Sequence, residues 1–172
     1  MNELRKYIRD IPDFPKEGIL FKDITPLLAD GRALKMAIVA MAAPFVGKGI
    51  ERVVGIESRG FLFGPGVAEQ LGCGFAPVRK PGKLPYQTEQ LSYDLEYGSD
   101  TLEIHTDAVP SGGKVLIVDD LLATGGTAAA TARLIEKVGG RVWGYAFAVE
   151  LLFLHGRKVL PEADVHALIG YE

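Results

Sequence analysis

The chain has a single cysteine, Cys73, so it can close no disulfide within itself. That usage suits a reducing cytosol. Its three histidines, His105, His155 and His166, lack metal-ligand spacing. Neither sign of charge dominates. Nineteen Lys and Arg against 22 Asp and Glu leave a net charge of −3, which argues against a nucleic-acid polymer as partner. No apolar run approaches the ~18 residues that a membrane helix needs, so no membrane is expected. The first residues, Met-Asn-Glu-Leu-Arg-Lys-Tyr, are too polar for a signal-peptide core. A Walker A pattern and a complete G-x-G-x-x-G are both missing, which weakens ATPase and dinucleotide readings.

What is present reads as one α/β domain over residues 1–172. Strands over Arg52–Ile56, Gly74–Val78, 115–118, 142–149 and 165–169 alternate with helices over 31–45, 62–71 and 128–138. That order predicts a mainly parallel sheet flanked by helices. Asp30 is placed to cap the 31–45 helix, whose apolar positions Leu34, Ile38, Met41 and Phe45 recur at helical spacing. A short helix is expected over 2–9 and irregular structure over 10–29. Residues 79–93, with Pro81, Gly82 and Pro85, read as a mobile loop. Residues 93–96 and 101–106 alternate around Gly98 like a hairpin.

The most informative run is Val115-Leu116-Ile117-Val118-Asp119-Asp120-Leu121-Leu122-Ala123-Thr124-Gly125-Gly126-Thr127. Four consecutive apolar residues predict a fully buried strand. Two carboxylates stand where that strand is expected to end. The Gly-rich loop beyond them enters a helix, and its free N–H groups suit a phosphate. Gly125 and Gly126 let the backbone approach the anion, while Thr124 and Thr127 add hydroxyls. Asp119 and Asp120 repel a phosphate but can accept from sugar hydroxyls or hold a divalent cation. Together these features describe a site for a ribose 5-phosphate.

Two further segments add cations. Glu57-Ser58-Arg59-Gly60 follows a strand, and Arg59 can grip a pair of phosphate oxygens. Arg79-Lys80-Pro81-Gly82-Lys83 could close over a polyanion as a lid and exclude water.

The run over 115–127 resembles the phosphoribosyl-pyrophosphate (PRPP) motif of type I phosphoribosyltransferases. The resemblance extends over roughly residues 7–150. Leu95-Glu96-Tyr97-Gly98 and the segment from Ile11 to Pro26 resemble the members of that family that act on adenine. The resemblance implies a Rossmann-like core over about 31–172, an N-terminal hood over about 1–30, and a homodimer. It implies that adenine and PRPP give AMP and pyrophosphate with Mg²⁺, in purine salvage in the cytoplasm. Asp119 and Asp120 would meet the ribose hydroxyls, with any contact to the metal made through ribose or water. Residues 123–127 (Ala123, Thr124, Gly125, Gly126 and Thr127) would hold the 5-phosphate.

By the same resemblance, Ser58 and Arg59 would contact pyrophosphate beside a non-proline cis peptide at Glu57–Ser58. Arg79, Lys80 and Lys83 would assist. Leu20, Phe21 and Lys22 match the segment that sandwiches adenine, with Lys22 standing where many relatives carry Arg. Ala123 replaces the acid that hypoxanthine–guanine enzymes use near the base, so another carboxylate is required. Glu96 is the best candidate, as general acid/base or electrostatic stabiliser. Tyr97 beside it joins the substrate-binding set. Two rivals remain: a phosphoribosyltransferase for another base, and a PRPP sensor without turnover.

Overall fold

The computed structural model describes residues 2–94 and 99–172. In chain order the elements are α1 (Asn2–Arg5), β1 (Arg9–Pro12), β2 (Leu20–Asp23), α2 (Thr25–Ala29) and α3 (Gly31–Ala42). Then come β3 (Arg52–Ile56), α4 (Gly64–Leu71), β4 (Gly74–Val78), β5 (Thr88–Asp94) and β6 (Ser99–His105). β7 (Lys114–Leu122), α5 (Gly126–Lys137), β8 (Arg141–Leu151) and β9 (Asp164–Tyr171) complete the chain. The central sheet has the order β4-β3-β7-β8-β9, and every neighbouring pair in it is parallel.

The apolar run of β7 is continuous because both faces of the sheet are covered. Successive strand residues point to opposite faces. Leu116 and Val118 pack with Ala33, Ala37 and Met41 of α3 and Val67 of α4. Val115 and Ile117 pack on the other side with Leu134 and Ile135 of α5 and with Leu102 and Ile104 of β6. The mainly parallel α/β architecture expected from the sequence is therefore observed.

Several boundaries differ from expectation, each for a physical reason. β7 does not stop at Val118. It keeps pairing with β8 through Asp119↔Phe147 and Leu122↔Glu150, so both motif acids lie within the strand. Residues 10–29 are more regular than their prolines suggest. β1 and β2 form an antiparallel hairpin, with Arg9–Asp23 at 2.6 Å and Lys22–Asp10 at 2.7 Å across it. Pro12 ends the edge strand β1 and Pro26 opens α2, positions where a missing N–H costs little. The expected loop over 79–93 is ordered as β5 from Thr88 onward, paired with β6. Its signal is weak because only Leu91 and Tyr93, two residues apart, reach the core.

Asp30 does cap α3: its carboxylate accepts from the Ala33 N–H at 2.8 Å. The buried stripe of α3 runs through Ala33, Ala37, Met41 and Ala42, with Leu34 and Ile38 packed beside it. Asp30→Ala is expected to remove about 1 kcal/mol of stability. For a chain of this size that lowers the melting temperature by roughly 2–4 °C, read by circular dichroism.

Candidate active site

β3 and β7 are neighbours, yet the chain leaves them in opposite directions across the sheet, toward β4 and toward β8. A crevice opens at such a reversal, beyond the carboxyl ends of the strands. A cavity of about 330 Å³ lies there. It brings together Ser58 and Arg59 from the loop after β3, Asp119 and Asp120 from β7, and residues 123–127 from the loop that follows. Lys80, Tyr93 and Asp100 close its other side.

The loop after β7 turns into α5 at Gly125, whose φ of +85° favours glycine. A side chain there is also barred by space. A Cβ would run into the Gly156 carbonyl and stand 2.7 Å from Val159 Cγ2. The loop is thus seated on the turn after β8, and the first N–H groups of the twelve-residue helix α5 open into the cavity region. Thr127 carries its hydroxyl at the same point, 3.2 Å from the Tyr93 hydroxyl.

The two acids are not equivalent. Asp120 is buried, and its carboxylate accepts from Arg59 Nε. Asp119 accepts from the Asp120 N–H at 2.9 Å. Burial first, and then the adjacent Asp120 charge, push the Asp119 carboxyl well above the usual carboxylate range. A carboxylate so poor in donors is stabilised by hydroxyl groups brought to it, as a sugar diol would do. Burial works against the charge of Arg59, but the bond and charge of Asp120 outweigh it and hold the guanidinium more firmly protonated. The Glu57–Ser58 peptide is cis. Gly60 lies so close to β7 that a Cβ would stand 2.7 Å from the Val118 carbonyl.

The basic segment is anchored on carboxylates. Arg79 donates to Glu57 at 3.1 and 3.3 Å, and the Lys80 N–H donates to the same carboxylate at 3.0 Å. Lys80 Nζ pairs with Asp100. Glu103, almost fully buried, accepts from the Lys83 and Leu84 N–H groups at 3.1 and 3.0 Å and from Gln90 at 3.1 Å. Burial raises the Glu103 carboxyl, but backbone donors from Leu84, Gly82 and Lys83 prevail and leave it below its ordinary value. Residues 79–84 are therefore pinned, contrary to the expected mobile loop.

Ser58, Arg59, Lys80, Asp119, Asp120, Ala123, Thr124, Gly125, Gly126 and Thr127 line the cavity. Arg79 and Lys83 stand behind it, at Glu57 and Glu103. Leu20, Phe21 and Lys22 belong to the N-terminal hairpin and do not line it. Lys22 Nζ sits on Asp10 and over the Tyr171 ring, 4.1 Å from its centroid. Glu96 and Tyr97 lie outside the described residues. The sequence assigned no site role to Tyr93, Asp100 or Glu103. Glu103 gave no signal, because Thr101-Leu102-Glu103-Ile104-His105 alternates like an ordinary half-exposed strand.

Glu103→Leu strips the acceptor from at least two backbone N–H groups, each worth about 1–3 kcal/mol when left unpaired. Trypsin is expected to cut after Lys83 roughly tenfold faster in this variant, since a loss of about 1.4 kcal/mol is a tenfold change. Mass spectrometry of timed digests reads the rate.

Residues 27–162 match the phosphoribosyl transferase domain family. An adenine phosphoribosyltransferase of Francisella philomiragia is 61% identical over 163 residues, covering 94% of this chain and 93% of its own length. The crystal structure of adenine phosphoribosyltransferase from Thermoanaerobacter pseudethanolicus superposes with a TM-score of 0.95 at 53% identity, covering 99% of each chain. The Saccharomyces cerevisiae enzyme, solved with adenine and an imino-altritol bisphosphate, gives 0.88 at 45% identity, covering 97% of each chain. The chain belongs to the phosphoribosyltransferase family and, within it, to the adenine phosphoribosyltransferases.

Proposed function

We propose that this enzyme transfers the 5-phosphoribosyl group of PRPP to adenine, forming AMP and pyrophosphate with Mg²⁺, and so serves purine salvage in the cytoplasm. One observation carries the reading: a glycine-bounded helix start, paired acids and Arg59 share a single cavity. The yeast relative was solved with adenine bound, which supports the choice of base.

The loop over 123–127 holds the 5-phosphate through backbone N–H groups and the Thr124 and Thr127 hydroxyls. Asp119 and Asp120 accept from the ribose hydroxyls and favour positive charge as it develops on the sugar. Arg59 exchanges Asp120 for oxygens of the departing pyrophosphate, and Lys80 does the same from Asp100. The bond from C1 of the ribose to the pyrophosphate oxygen breaks, and adenine N9 attacks C1 from the opposite face. Adenine loses its imidazole-ring proton as N9 bonds to C1, to Glu96 where that residue is the general base, or to water where Glu96 is only an electrostatic stabiliser.

Among the described residues no group of three or more His, Cys, Asp or Glu could cage a metal ion. Mg²⁺ would sit on oxygens of the ribose and pyrophosphate, with Asp119 and Asp120 reaching it through ribose or water. When bound, it neutralises charge on the leaving group.

Residues 1–30 serve as the hood over the base in this reading. The hairpin lies against Tyr171, the last residue of β9, at the carboxyl end of the sheet where the cavity opens. Lys22 commits its side chain to Asp10 and Tyr171, so its contribution to the base comes from its backbone. A homodimer belongs to the same proposal and is supported by exposed apolar side chains at Leu62, Phe153 and Val159.

Purified protein with PRPP and Mg²⁺ is expected to form AMP from adenine and no nucleotide from hypoxanthine, guanine or xanthine. Turnover of another base would overturn the choice of adenine. Binding of PRPP without turnover of any base would favour a sensor. The double variant Asp119→Asn with Asp120→Asn is expected to weaken PRPP at least tenfold by calorimetry, given about 1.5–3 kcal/mol for hydrogen bonds to charged groups. An unchanged affinity would contradict the ribose assignment.

A further inference from the structure

Tyr93 stands where the β5–β6 hairpin meets the phosphate loop. Its ring is buried in the core shared by Leu102, Ile104 and α5, so the phenol has little freedom to move. Its hydroxyl lies 3.2 Å from Thr127 Oγ1 and 3.4 Å from Asp100 Oδ2. Asp100 is its cross-strand partner, and all three residues line the cavity.

Counting protons decides what this arrangement does. Tyr93 and Thr127 each own one hydroxyl proton. Asp100 offers only acceptors, because Lys80 holds its carboxyl below the ordinary value despite partial burial. A phosphate in the cradle also accepts and donates nothing. Two orders keep a hydrogen bond between Tyr93 and Thr127. In the first, Thr127 donates to Tyr93 and Tyr93 donates to Asp100. That order turns the Thr127 proton away from the cradle and presents oxygen lone pairs to the anion. In the second, Tyr93 donates to Thr127 and Thr127 donates to the phosphate. Asp100 can forgo the Tyr93 proton, since the Thr101 N–H at 2.8 Å and, as long as no pyrophosphate draws it away, Lys80 Nζ already serve it.

We propose that Tyr93 is a positioning residue for the 5-phosphate: its hydroxyl donates to Thr127 Oγ1 and so aims the single Thr127 proton into the cradle. The proposal rests on the phosphoribosyl reading of the cavity. It assigns Tyr93 no contact with substrate, because it acts through Thr127. The longer contact to Asp100 is the competing arrangement, and the Lys80 charge on Asp100 weakens that competition.

The test is a double-mutant cycle read by calorimetry with ribose 5-phosphate, which requires no turnover. Tyr93→Phe keeps the buried ring and removes one oxygen. It is expected to weaken ribose 5-phosphate about three- to tenfold, the worth of one hydrogen bond, while leaving pyrophosphate affinity unchanged. In a Thr127→Val background the same change is expected to cost less than about twofold, since its partner is gone. In a Thr127→Ser background, which restores a hydroxyl, the full effect returns. Equal ribose 5-phosphate affinity in Tyr93→Phe and the parent protein overturns the proposal. So does an equal loss in the Thr127→Val background, or an equal loss for pyrophosphate, because each indicates a general structural effect. AMP formation by the parent protein is measured alongside. A flat cycle with AMP formed sinks only the role of Tyr93. An intact cycle without AMP supports that role and sinks the proposed reaction.

Discussion

Everything at the site depends on β7 being paired on both edges and buried on both faces. A strand held that way cannot slip without exposing its apolar run, so its carboxyl end is a fixed point. From that point the acids, the glycine loop and the start of α5 follow within a few residues. The loop after β3 reaches the same point because β3 is the adjacent strand in the sheet. Gly60 allows that loop to lie directly against the Val118 carbonyl. The crevice follows from the chain turning opposite ways from two neighbouring strands.

Electrostatics then set the resting state. Arg59 has Asp120, Arg79 has Glu57, Lys80 has Asp100, and the backbone of 83–84 has Glu103. Cations that would otherwise repel one another around an anion site are held in place by carboxylates drawn from three different strands or their ends. A polyanion entering the cavity would therefore compete with internal partners. Arg59 and Lys80 keep about half of their side-chain surface exposed, which leaves them able to exchange. Glu57 and Glu103 are far less accessible and serve as fixed supports. A mildly acidic chain can in this way build a local site for a heavily charged ligand.

The N-terminal hairpin shows how a side chain is committed by its surroundings. Arg9–Asp23 and Lys22–Asp10 tie its two strands together, and Arg5 and Lys22 both lie over the Tyr171 ring at the end of β9. Asp23 is lowered to about 2, chiefly by the backbone and hydroxyl donors of Thr25 and then by Arg9. These contacts fasten the segment to the last strand of the sheet. Phe21 is left half-buried, against Phe14 in an edge-to-face contact at 5.1 Å.

The sequence by itself determined the α/β class, the buried strand at 115–118, the Asp30 cap and the glycine turn at 123–127. Each of these is local: periodicity, a capping side chain or a glycine turn speaks through neighbours in the chain. It also carried Arg59 and the motif acids, because they sit in short runs whose residue types suit one chemistry. Only the tertiary structure decided that β7 runs on through Asp119 and Asp120, since that depends on how far β8 offers partners. Only it decided that residues 79–84 are anchored and not free, because Glu57 and Glu103 stand about twenty residues away in the chain. The contact of Tyr93 is of the same kind, a hydroxyl pair across 34 positions to Thr127. Hydrogen-bond partners so distant in sequence leave no periodic trace, and only the folded chain brings them within reach.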